Sequence, residues 1–99
     1  MKPIVELFRL ESAIQQYKAR GQFELALQFY DQIIQIKQPL SNKLGLAKTI
    51  AEKAYLLEQM GRRNEAMQNY QYAWQVAGNT PCEEFVASIE QRLNYLSLQ

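Results

Sequence analysis

The sequence predicts an all-α chain of five helices, and three observations carry that reading. Apolar residues recur at spacings of three and four along most of the chain, the period of a helix buried on one side. Glycines stand where two of these stretches end, and the pattern of one block of residues returns forty positions later.

The first stripe is Leu7, Leu10, Ile14 and Tyr17, which lie on one face of an α-helix. Gly21 follows it. A glycine can take the left-handed conformation that closes a helix, at little of the roughly 1 kcal/mol or more that other residues incur. Phe23, Ala26, Leu27, Tyr30, Ile33 and Ile34 then form a second amphipathic stretch, so residues of about 3–38 read as a helical hairpin. Pro39 ends it, because proline cannot continue a helix and biases Gln38 away from helical angles. Ser41 or Asn42 can cap the next start.

The third stripe, Ala47, Ile50, Ala54 and Leu57, repeats the first, Gly61 repeats Gly21, and a fourth stretch carries Ala66, Met67, Tyr70, Ala73 and Trp74. A second hairpin is therefore expected over about 41–78. Across the offset of 40, Ala26 matches Ala66, Tyr30 matches Tyr70, and Gln28 and Gln35 match Gln68 and Gln75. A plain up-and-down five-helix bundle would show the same stripes, but it does not require equivalent residues at a fixed offset.

Thr80, Pro81 and Glu83 read as a helix start, with Thr80 as cap, Pro81 in the first helical position and Glu83 reaching back. The fifth stripe, Val86, Ile89, Leu93 and Leu96, follows the third at an offset of 39. It predicts a capping helix over about 81–97, a first-helix without its mate, of the kind that closes repeat arrays.

Composition fits one soluble domain. The 99 residues are 47% hydrophobic and 21% charged, with a formal net charge of +1, too apolar for disorder and sufficient to bury roughly 60 to 65 per cent of the unfolded surface. Basic residues are scattered from Lys2 to Arg92, so no field exists to attract nucleic acid. The pair Arg62 and Arg63 follows Gly61 and reads as solvated turn charge. Glu6 and Arg9 interrupt the apolar start before a signal core or membrane span could form, which predicts a cytoplasmic chain without membrane insertion. The single cysteine forbids an internal disulfide.

Chemistry is not signalled. No histidine is present, which removes the commonest general base and metal ligand. Cys82 sits near a helix start, but Glu83 and Glu84 beside it oppose thiolate formation. Those adjacent carboxylates point to different sides of a helix and fit compensation of its dipole. With no phosphate loop and no paired CxxC, the expectation is a non-enzyme without metal or cofactor.

The run Gly21, Phe23, Ala26, Tyr30 and Ile33, preceded by Tyr17, resembles the tetratricopeptide repeat signature, as do Gly61, Ala66, Tyr70 and Ala73. Arg63 and Leu57 depart from it where aromatics are usual, and the forty-residue period is similar to the longer-helix variety of the family. The resemblance implies a right-handed α-α superhelix of two such hairpins plus the capping helix, with first-helices lining a concave groove that binds a protein or peptide.

Carried onto this chain, the resemblance implies three rows of groove residues: Gln15, Tyr55, Asn94; Glu11, Ala51, Glu90; and Ser12, Glu52, Gln91. Lys18, Lys48 and Glu58 flank them. If the offset of 40 held in the last helix instead of 39, Arg92 and Tyr95 would turn inward. Glu11, Gln15 and Glu52 stand where the family's chaperone-tail clamp has basic residues and asparagines, which argues against that ligand. The function expected is an adaptor or scaffold for a neutral, amphipathic or mildly basic segment, the alternative a dedicated chaperone masking an aggregation-prone subunit. Ile4, Val5 and Phe8 make a homodimer a further expectation.

Overall fold

The computed structural model describes residues 3–78 and 80–99. Five helices follow in order: α1 (Pro3–Ala19), α2 (Phe23–Lys37), α3 (Lys43–Gln59), α4 (Arg63–Ala77) and α5 (Glu83–Ser97). They belong to two compact units, Met1–Leu40 and Ser41–Gln99. In the first, α1 packs on α2; in the second, α3 packs on α4 and α4 on α5.

The two hairpin turns have the same construction. Gly21 and Gly61 adopt φ of +74° and +78°. After α1, the Gln22 N–H donates to the Tyr17 carbonyl at 2.9 Å and the Gly21 N–H to Lys18 at 3.1 Å; after α3, Arg62 donates to Leu57 at 2.9 Å and Gly61 to Glu58 at 3.0 Å. This double closure is the Schellman motif, and it satisfies carbonyls that the helix end leaves without partners. A Cβ at either glycine would meet nothing within 4 Å, so a side chain there is opposed by the backbone alone. Gly21→Ala and Gly61→Ala are each expected to cost about 1–2 kcal/mol, and the asparagine variants less, as measured by urea unfolding.

The first unit is closed by Leu10 and Ile14 of α1 and by Ala26, Leu27, Tyr30, Ile33 and Ile34 of α2, all buried. Tyr17 and Phe29 stack beside them, with ring centroids 5.4 Å apart. In the second unit Ala47, Ile50, Ala54 and Leu57, the expected stripe, are all buried, as are Ala66, Tyr70, Ala73 and Ala77 of α4 and Ile89 and Leu96 of α5. The repeat positions Ala26 and Ala66 are both fully enclosed, where a larger side chain would hold the paired helices apart.

Asn42 caps α3, its Oδ1 accepting the Gly45 N–H at 2.9 Å. The start of α5 differs from expectation. Its cap residue is Cys82, no side chain caps it, and the helix begins two residues beyond Pro81. Thr80 is engaged at the other end: its hydroxyl and its N–H both reach the Ala77 carbonyl, at 2.7 and 2.9 Å. It finishes α4 instead of starting α5.

No helix among the described residues is long and apolar enough to cross a membrane.

Candidate functional site

In the first unit, Glu11 and Gln15 lie exposed on α1, and Lys18 is half-buried in its last turn. In the second, Lys48, Glu52 and Tyr55 lie exposed on α3, and Gln91 and Asn94 on α5. Lys48, Glu52 and Tyr55 share a face because they follow one another at spacings of four and three.

The geometry of the second unit centres on Glu58. Its carboxylate, 13% exposed, accepts the Tyr70 hydroxyl at 3.0 Å and a two-pronged contact from Arg92, through Nε at 3.2 Å and through Nη2. Three helices thus meet at one carboxylate: Glu58 from α3, Tyr70 from α4 and Arg92 from α5. Both partners respond to it. Burial first, and then the hydrogen bond to Glu58, push the Tyr70 phenol up to about 12. The same carboxylate raises Arg92 above the ordinary guanidinium value, against the opposing effect of burial.

Arg92 also arranges two rings. Its Cζ lies 5.9 Å from the centroid of Tyr55 on α3 and 5.3 Å from that of Tyr95 on α5, both within cation–π reach. The rings remain 49% and 51% exposed. The residue of α5 that joins Tyr55 is therefore Tyr95, and the row continues at an offset of 40. Asn94 lies elsewhere, lining an open depression with Trp74, Glu90 and Leu93 at the seam of α4 and α5. Glu90, expected to face a partner, accepts the Trp74 indole N–H at 3.2 Å. Of the expected stripe of α5, Ile89 and Leu96 are buried and Val86 and Leu93 half-buried; the two buried residues match buried residues of α3 at either offset, Ile50 and Leu57 at 39 and Thr49 and Leu56 at 40.

Two more residues expected to be solvated are engaged. Arg62 forks onto Glu65 at 2.8 Å, and this hydrogen bond holds the exposed Glu65 carboxyl below its usual range. The Arg63 Nη1 donates to the Leu96 carbonyl at 2.9 Å. That contact joins the start of α4 to the end of α5, as antiparallel neighbours require.

Among the described residues no group of three or more His, Cys, Asp and Glu side chains could hold a metal ion. The one cysteine is free and half-buried at the start of α5. The face of α3 and α5 thus presents two half-exposed rings beside one guanidinium, whose carboxylate partner is 13% exposed. Compared with family models, curated proteins and solved structures, the chain matches none of them.

Proposed function

We propose that the chain is a small adaptor built of tetratricopeptide-like hairpins, and that it binds a peptide or helix of another protein on the exposed face of α3 and α5. One observation carries this reading: Tyr55 and Tyr95, from α3 and α5, stand half-exposed within cation–π reach of the same guanidinium, that of Arg92. Tyrosines at such places offer large contact area at low entropic cost, and a guanidinium held by Glu58 beside them removes part of the ordering cost of binding. The tetratricopeptide assignment is supported by the matched turns at Gly21 and Gly61 and by the enclosed pair Ala26 and Ala66.

The charge on this face also bears on the partner. Glu58 and Glu90 are bonded within the unit, and Lys48 and Glu52, exposed on the face of α3 that carries Tyr55, are of opposite charge. A segment of little net charge suits it best. The test is capture of binding proteins from the native host, identified by mass spectrometry, with Tyr55→Ala combined with Lys48→Glu. Captured proteins are expected to disappear with that variant at unchanged melting temperature. Retention of every one would remove the site from this face.

The chaperone alternative draws on a different feature, the exposed Ile4, Val5 and Phe8 at the start of α1. A chaperone would release a partner that aggregates alone and would raise the melting temperature of both chains strongly, whereas an adaptor binds modestly and reversibly.

A further inference from the structure

The face of α3 and α5 is specific enough to select among peptide classes. Two centroids at 5.9 and 5.3 Å from one carbon lie no more than about 11 Å apart. A polyproline II strand repeats every three residues with a rise of about 3.1 Å, so prolines three apart stand roughly 9 Å from each other, and their rings pack flat on aromatic ones. Gln59 and Gln91 are exposed and sit four residues from Tyr55 and Tyr95, which places an amide donor beside each ring on the same helical face. Such a strand has carbonyls that no internal hydrogen bond occupies and that these amides can serve.

Other classes fit less well. An amphipathic helix needs an aliphatic groove for its stripe, whereas the exposed large side chains here are two tyrosines. A strongly charged peptide of either sign would need one charge to prevail, whereas Arg92 and Glu58 are paired with each other and exposed Lys48 and Glu52 carry opposite charges on the same face of α3.

Resting on the adaptor reading, we propose that the partner is an uncharged, proline-rich segment in the polyproline II conformation, which lays prolines three apart across Tyr55 and Tyr95. The test is selection of displayed random decapeptides against the full chain, followed by affinity measurement on Tyr55→Ala, Tyr95→Ala and, as a control on α4, Tyr72→Ala. Enriched peptides are expected to carry prolines at a spacing of three and few charges. Each of the first two variants should weaken them by roughly fivefold or more, with Tyr72→Ala unchanged and melting temperatures preserved. Enrichment of helical or charged peptides that need Tyr55 would overturn this inference and leave the adaptor reading standing. Absence of any peptide that needs Tyr55 or Tyr95 would remove both.

Discussion

Ile50→Ala is expected to destabilise the second unit by about 2–5 kcal/mol, the range seen when a large aliphatic is truncated in a close-packed interior. Ile50 is completely enclosed. It sits at the centre of the α3 stripe between Ala47 and Ala54, both fully enclosed, and the buried leucines of the same helix, Leu46, Leu56 and Leu57, already occupy packed positions. The unit cannot collapse readily around the loss. Set against the 5–15 kcal/mol that whole domains possess, this is a large fraction. The measurement is urea unfolding followed by helical circular dichroism, with Leu93→Ala as a comparison. Leu93 is only half-buried and should cost clearly less; equal costs would mean that the core is not centred on α3.

The second large effect is expected at Glu58 and Arg92. Arg92→Ala leaves a largely covered carboxylate with the Tyr70 hydroxyl as its remaining partner among these three groups. Removing one member of a fully buried pair costs about 3–5 kcal/mol. Arg92 is 39% exposed and water screens part of the interaction, so about 1–3 kcal/mol is expected here. A double-mutant cycle with Glu58→Ala should return a coupling energy of about 1 kcal/mol or more. A coupling near zero would show the pair to be an idle surface contact.

The same cluster makes a prediction in alkaline solution. An unfolded tyrosine loses its proton near pH 10, whereas Tyr70 keeps it to about 12 in the folded chain. Between those values the folded state binds more protons than the unfolded one. The stability linked to Tyr70 is therefore complete below pH 10 and is lost as pH rises toward 12. Phenolate absorbance should lose a late-titrating component in Tyr70→Phe.

Much of this was legible in the sequence where the cause is local. Gly21 and Gly61 announced the turns because a left-handed residue is a property of one position. The stripe Ala47, Ile50, Ala54 and Leu57 announced a buried face because helical period acts over a few turns. Leu46, Thr49 and Leu56 are buried too, and a single stripe could not show that α3 is covered over a wider arc. Trp74, matched in the repeat to Ile34, is 42% exposed and turns its indole toward Glu90. Thr80 looked like a cap because its type suits one, but the nearer carbonyl of Ala77 claimed it. The pairing of Glu58 with Arg92 was out of reach for a different reason: it spans two helices across 34 positions, and no periodicity links residues that only tertiary packing brings together. The sequence places Glu58 at the flank of a groove, where the structure bonds it to Tyr70 and Arg92, and it brings Tyr95 inward only if the offset of 40 holds in α5.

The matching turns have a consequence for how such a chain can grow. Each hairpin carries its own terminator in one glycine and its own point of close approach in one alanine, so copying forty residues copies a complete instruction for another hairpin. Nothing in that instruction specifies a surface. The bonds that give this chain its character, Arg92 to Glu58 and Arg63 to Leu96, lie outside what the two copies share, and there a duplicated module can acquire an identity of its own.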